Sequence, residues 1–268
     1  LIVPPNSVSS WPDGNSLLIP ASLAHEVEKM FLAQKSVVVI GGSSGMGLAT
    51  AKAALAEGAD VTVTGRTQAW LDTVRAESEG RIRTVAVDAG DEAAMRSFLG
   101  DFARIDHIYV TAAALLYGPK LDPDSSALRA AMDTRFWGCF YTAKYAAPKM
   151  PPDGSITFTT GTATRKPMPS GSVVTASCGA VEAFARGLAV DLAPIRVNAI
   201  APGLIATPLH ERRGGKEAAA KRLEQMAARL PLKRAGRPEE VADAVLFLMK
   251  NQFVTGITLT VDGGGLLV

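Results

Sequence analysis

Val37-Val38-Val39-Ile40 runs without a break into Gly41-Gly42-Ser43-Ser44-Gly45-Met46-Gly47, and a helical pattern follows from Ala49. Four consecutive apolar residues, all β-branched, read as a strand buried on both faces, as parallel sheets require. The glycines behind it permit a tight turn from strand to helix and let the backbone approach a pyrophosphate. They also turn the unpaired N–H groups of the helix start toward negative charge. Glycine-rich turns are common by themselves. The strand before, the helix after and a second strand at the right distance give this one its meaning.

That second strand ends in Val61-Thr62-Val63-Thr64-Gly65-Arg66-Thr67. An acidic residue there would grip the ribose hydroxyls of NAD. Gly65 holds the place instead, so a 2′-phosphate meets no repelling carboxylate. It can lie against the planar fork of Arg66, with Thr67 and Ser43 as hydrogen-bond donors. NADP(H) is the cofactor expected, the plain alternative being an ordinary exposed Arg at a strand end.

From Lys35 onward, short β-branched runs alternate with longer amphipathic stretches, the pattern of repeated βα units. The spacing predicts strands over Ser36–Ile40, Asp60–Thr64, Ile82–Val87, His107–Thr111, Ser155–Thr160, Arg196–Ala201 and Thr258–Val261. Helices are predicted over Ala49–Ala56, Gln68–Ser78, Glu92–Phe102, Ala127–Lys149, Val173–Leu192 and Glu239–Met249. The fold class is α/β: a single-domain, Rossmann-type, doubly wound parallel sheet of seven strands with helices on both faces. At roughly 150 residues per domain, 268 residues permit two domains, but no linker divides the strands. Residues 1–30, with Pro4, Pro5, Pro12, Gly14 and Pro20 at their start, are expected to be a tail, and 31–268 the nucleotide-binding domain.

A net charge of +2, with 47% hydrophobic and 20% charged residues, excludes a disordered polyelectrolyte and gives no electrostatic footprint for nucleic acid. Cys139 and Cys178 are too few for a disulfide framework and lack metal spacing, which suits a reducing, cytoplasmic setting and no metal. No uninterrupted apolar run approaches the roughly 20 residues that span a bilayer, and no membrane role is expected.

Over Phe31 to Gly264 the chain resembles the short-chain dehydrogenase/reductase family. The matching residues are Gly41-x-x-x-Gly45-x-Gly47, Asp88-Ala89, Arg196-Val197-Asn198-Ala199-Ile200-Ala201-Pro202-Gly203, Thr207-Pro208, Gly236-Arg237-Pro238-Glu239-Glu240-Val241-Ala242, Gly256 and Asp262-Gly263-Gly264. The resemblance implies that Gly41, Ser43, Ser44, Gly45, Met46, Gly47, Arg66, Thr67, Asp88, Ala89 and Ala112 hold the nucleotide. Pro202, Gly203, Ile205 and Thr207 would hold its nicotinamide end.

The family's Asn, Ser, Tyr and Lys are another matter. Counted without gaps, their positions fall on Arg135, Gly161, Val174 and Cys178, and Thr111-Ala112-Ala113-Ala114 replaces the Asn-Asn-Ala-Gly run. Tyr145-Ala146-Ala147-Pro148-Lys149 does spell Tyr-x-x-x-Lys. It precedes the fifth strand instead of following it, and Pro148 ends or kinks the helix that would present Lys149, so it is rejected.

Val174 and Cys178 cannot replace a phenol whose pKa a lysine lowers, and losing acid catalysis typically forfeits about 10²–10⁴ in rate. An oxidoreductase built this way is expected to reduce an iminium or another activated acceptor. The alternative is an inactive NADP(H)-binding sensor or structural protein. Arg135 either binds a carboxylate or polarises a carbonyl, or else pairs with Asp133. Thr160 and Thr162 are further catalytic candidates. Cys178 is expected to be buried and inert, with no neighbouring positive charge. His210 is the one histidine placed to meet substrate, His25 and His107 lying elsewhere. Leu209–Leu230, with Arg212, Arg213, Lys216, Lys221, Arg222 and Arg229, is either a solvated helical face or a basic lid. The helices carrying Phe136, Trp137, Phe140, Tyr141 and Val181, Phe184, Leu188, Val190 are apolar on more than one face. The resemblance implies that they pair in a homodimer or homotetramer.

Overall fold

β1 (Ser36–Ile40) is the centre from which the architecture grows. Val37, Val38, Val39 and Ile40 are wholly buried, as a strand covered on both faces must be. It pairs in parallel with β2 (Asp60–Gly65) on one side and β4 (His107–Val110) on the other. With β3 (Ile82–Ala86), β5 (Ser155–Thr159), β6 (Arg196–Pro202) and β7 (Thr258–Val261), they form one seven-stranded sheet ordered β3-β2-β1-β4-β5-β6-β7. Every pairing is parallel. The order reverses between β1 and β4, which opens a crevice at the carboxyl ends of those strands. The computed structural model describes residues 30–113, 125–211 and 215–268, and Leu32–Val268 clusters as one compact unit.

The helices are α1 (Gly45–Ala56), α2 (Gln68–Glu77), α3 (Glu92–Gly100), α4 (Ser125–Met132), α5 (Gly138–Ala146), α6 (Ser172–Asp191), α7 (Gly215–Ala227) and α8 (Pro238–Lys250). The seven predicted strands all appear, with ends moved by one residue at most. α1 begins at Gly45, earlier than predicted, because the glycine loop itself winds into the first turn. The stretch predicted as one helix over Ala127–Lys149 is broken into α4, a π-helical turn at Asp133–Trp137, α5 and a 3₁₀ turn at Ala147–Lys149. Pro148 accounts for the last change, since it withholds an N–H from the helix ladder.

One core cluster fills the space between the sheet and α3, α5 and α6, drawing on Ile108, Val110, Ile156, Phe158 and Val197. α6 is long and apolar enough, by composition alone, to cross a membrane. Here Val174, Cys178, Val181 and Ala185 are buried in the fold, and α6 packs on β6. Lys149, from the rejected pair, donates to the Gly100 carbonyl oxygen at 2.7 Å, and the Tyr145 hydroxyl donates to Glu92 Oε1 at 2.7 Å. Both tie α3 to its neighbours. Arg196, which opens the sixth-strand motif, is buried and donates through its two terminal nitrogens to the Leu248 and Met249 carbonyls. It holds the end of α8, a scaffold task.

Candidate functional site

A cleft of about 410 Å³ opens at the carboxyl ends of the strands. Its first wall is the glycine loop. The Gly41 and Gly42 N–H groups donate to the Thr64 carbonyl at 3.2 and 2.9 Å, while Thr111 and Ala112 donate to the Ile40 carbonyl at 2.9 and 3.0 Å. β1, β2 and β4 therefore fix the loop from both sides. Gly41 has φ +92°, and a Cβ there would stand 2.7 Å from the Ala112 nitrogen. A Cβ on Gly47 would stand 2.4 Å from the Gly41 carbonyl oxygen. Glycine is required at both. Ser44 precedes α1 in an extended conformation without capping it through its side chain. The first N–H groups of α1 are left for an anion.

The predicted lining residues come from two stretches of backbone, the glycine loop with its neighbouring strand ends and the end of β6, and the two meet where Gly45 faces Thr207. Gly41, Ser43, Ser44, Gly45, Met46, Arg66, Thr67, Asp88, Ala89 and Ala112 line it around the loop, and Pro202, Gly203, Ile205 and Thr207 line it along the end of β6. Gly47 does not face the cleft; it lies behind the loop, where its missing side chain makes room for Gly41. At Gly65 a Cβ would meet Ser43 Oγ at 2.8 Å, so the acidic residue that grips a ribose has no room there. Asp88 is oriented by the Gly90 N–H, which donates to its Oδ1 at 2.9 Å. These features fit a dinucleotide: a cradle that side chains would fill, an uncapped helix start and a carboxylate held in place.

The other end is built by the π turn, β5 and α6. A π turn widens the helix and is a frequent companion of functional sites. This one buries Thr134 and Arg135 and brings both to the cleft. Arg135 is 4% exposed, and its Nη1 donates to Cys178 Sγ at 3.3 Å. The expectation that Cys178 has no positive neighbour is thus corrected, and Arg135 forms no ion pair with Asp133. Cys139, one helical turn beyond Arg135, is a different thiol: burial pushes its pKa up to about 12 against the pull of the Arg135 charge. It stays protonated.

Gly161, Val174 and Cys178 line the cleft together with Arg135. Thr160 and Thr162 also line it, but they differ in what they offer. The Thr160 hydroxyl lies 3.1 Å from Glu182 Oε1 and 3.2 Å from the Cys178 carbonyl oxygen, to either of which it can donate, and Thr164 donates to the same Glu182 oxygen at 2.8 Å. Its proton is committed inward. Among the described residues, no hydrogen bond holds the Thr162 hydroxyl. The Nε2–H of His210 donates to the Ile205 carbonyl at 2.9 Å, so that proton is engaged too. Of the described tyrosines, Tyr109, Tyr141 and Tyr145, none lines the cleft.

Of the two readings of Leu209–Leu230, a solvated helical face or a basic lid, the described residues favour the first. Arg212 and Arg213 lie outside the described residues, as do Ala114 and His25. Lys216, Lys221 and Arg229 are exposed and do not line the cleft, and Arg222 donates to the His210 carbonyl at 2.9 Å. What this segment turns toward the cleft is Leu209, His210 and Met226, a mainly apolar side with its charges in solvent. Trp70, Met168 and Met226 line the wall without having been expected there, since an isolated apolar residue in a helix or loop reads as packing.

The family model described as Enoyl-(Acyl carrier protein) reductase matches residues 40–265. The short-chain dehydrogenase/reductase malC of Malbranchea aurantiaca is 32% identical over 252 residues, covering 87% of this chain and 95% of that one. The solved structure of the MalC reductase/Diels-Alderase from the same organism superposes with a TM-score of 0.83 at 30% identity, covering 90% of this chain and 98% of that one. A small-chain dehydrogenase crystallised in complex with NADPH gives a TM-score of 0.76 at 30% identity, covering 88% of this chain and all of that one.

Proposed function

The chain belongs to the short-chain dehydrogenase/reductase family and is an NAD(P)-dependent oxidoreductase of that type; from this premise we propose that it uses NADP(H) to reduce an activated acceptor. The acceptor is an iminium carbon or a conjugated carbonyl that needs no proton from a tyrosine. NADP(H) is favoured because Arg66 stands at the cleft beside a position where no carboxylate fits. Bound NADPH supplies the hydride. The chain's own residues bind, orient and set the field: the glycine loop and Arg66 take the phosphates, and Pro202, Gly203, Ile205 and Thr207 border the nicotinamide end.

The observation that carries the reading is the set Arg135, Gly161, Val174 and Cys178 at the substrate end. Read as the family's Asn, Ser, Tyr and Lys positions, these offer a fixed cation and a thiol but no phenol. Loss of that acid weighs on simple ketones, where an alkoxide must be quenched, and much less on acceptors already activated. A relative described as both reductase and Diels-Alderase supports a site that handles activated unsaturation.

Initial rates of NADPH oxidation test this. We expect turnover with cyclic imines or conjugated carbonyls at least 100-fold above simple ketones. Ketone reduction at comparable rates with imines and enones untouched would overturn it. Tyr117 lies outside the described residues, and Tyr117→Phe is expected to change the preferred rate less than twofold. NADPH binding with no acceptor consumed would favour a binding protein instead. The working unit proposed is a homodimer or homotetramer joined through α6 and through α5 with the π turn before it, where Val190 is 78% and Trp137 40% exposed. A monomer by sedimentation would exclude it.

A further inference from the structure

Building on the reductase reading of the cleft, we propose that Arg135 is a binding residue for an oxyanion, and that the acceptor is an apolar molecule carrying a carboxylate. Arg135 is 4% exposed, and its guanidinium donates to the Cys178 thiol at 3.3 Å, a neutral and weak acceptor. Among the described residues no carboxylate stands within ion-pair distance of it. Glu182 is occupied by Thr160 and Thr164. Asp133, two residues away, does not reach it, and Asp88, whose Oδ1 accepts from the Gly90 N–H, forms no ion pair with it.

A buried cation without its counter-ion is expensive unless something supplies the anion. Arg135 lines the cleft, so a ligand there can do so through the planar fork that pairs with carboxylates. The Thr162 hydroxyl, held by no hydrogen bond, is a second donor on the same wall. The wall carries polar residues too, Thr134, Thr159, Thr160 and Lys166, with apolar side chains among them. Met168, Leu209 and Met226 line it while remaining 44, 39 and 46% exposed, more apolar surface than a rim facing only water would keep. The same field has a consequence for an iminium acceptor. Placed near an unpaired guanidinium, a bare cation is repelled, so such a substrate must bring its own anion.

Calorimetry on the full-length chain, with and without NADP⁺, tests the assignment using 3-phenylpropanoate, its primary amide and 3-phenylpropylamine. The carboxylate is expected to bind at least tenfold more tightly than the amide, with the amine weakest. Arg135→Gln should erase the difference between carboxylate and amide, and Arg135→Lys should keep part of it. Cys178→Asp places a carboxylate where the thiol now accepts from Arg135; it should invert the order in favour of the amine, and it carries the test if Arg135→Gln does not fold. Equal affinity for carboxylate and amide in the unaltered chain, or a preference that survives Arg135→Gln, would overturn the proposal. Failure to bind NADP⁺ would instead sink the reductase reading, with the carboxylate preference still measured on the unloaded chain.

Discussion

The two ends of the cleft are held by different kinds of structure. Around the glycine loop, the geometry is set by backbone: a left-handed Gly41, a Gly47 with no room for a side chain, the Thr64 carbonyl of β2 accepting from the loop, and Thr111 and Ala112, just past β4, donating to the Ile40 carbonyl. At the far end it is set by side chains, with Thr160 and Thr164 turned inward to Glu182 and Arg135 resting on a thiol. A backbone-defined end changes only with the fold. A side-chain-defined end can be rewritten by a few substitutions while the sheet stands, which is how one scaffold serves many chemistries.

If that contrast holds, a lesion at the loop should be far more damaging to nucleotide binding than one at the other end. Gly47→Val brings a branched side chain against the Gly41 carbonyl and the Thr111 methyl, 2.4 and 2.7 Å from the Cβ. NADPH affinity by fluorescence titration is expected to fall by more than about 1,000-fold, about 4 kcal/mol. Retained binding would mean that the loop is not what holds the nucleotide.

Acid separates the scaffold from both ends. His107 is buried at the amino end of β4, 2.8 Å from Ser155 Oγ, and burial, aided by the Arg196 charge, pushes its pKa down to about 4. The unfolded chain takes that proton more readily, near pH 6.5. Stability from the neutral histidine is therefore whole above about pH 6.5 and is lost as pH falls toward 4, by about 3 kcal/mol across that window. Urea midpoints at pH 7 and pH 4.5 check it, and His107→Asn should flatten the slope. Any fall in turnover over the same window must be corrected for this loss.

Arg66→Ser should weaken NADPH by about 30-fold, about 2 kcal/mol, and leave NADH within twofold, since only one of the two carries the 2′-phosphate. Equal losses for both nucleotides would place Arg66 elsewhere in recognition. Smallest of all, Thr160→Val should cost about 1 kcal/mol of stability through the lost bond to Glu182 while NADPH affinity changes less than threefold. A large effect on binding would erase the distinction between the ends.

Much of the backbone-defined end was legible in the sequence because the residues that make it have few other uses. A β-branched run into Gly41-x-x-x-Gly45-x-Gly47 admits little except a strand, a tight turn and a helix, and Gly65-Arg66 marks its place two elements later. The π turn at Asp133–Trp137 was not legible, since an extra residue in a helical turn leaves the apolar periodicity of its flanks intact. The Arg135–Cys178 contact joins residues 43 apart through packing that no local pattern encodes. Between Leu209 and Leu230 the sequence left a solvated helical face and a basic lid both open; Ala219 and Ala227, the buried positions of α7, turn its charges to solvent, and small alanines give a weak apolar signal.

The most direct measurement follows a label. NADPH deuterated stereospecifically at the transferring carbon is incubated with the protein and a panel of simple ketones, conjugated carbonyls and cyclic imines. Deuterium is expected in the product of a conjugated carbonyl or an imine at least 100-fold faster than in any ketone alcohol. Label arriving in ketone alcohols at the same rate would show that a proton donor does stand over the reactive ring, contradicting the account.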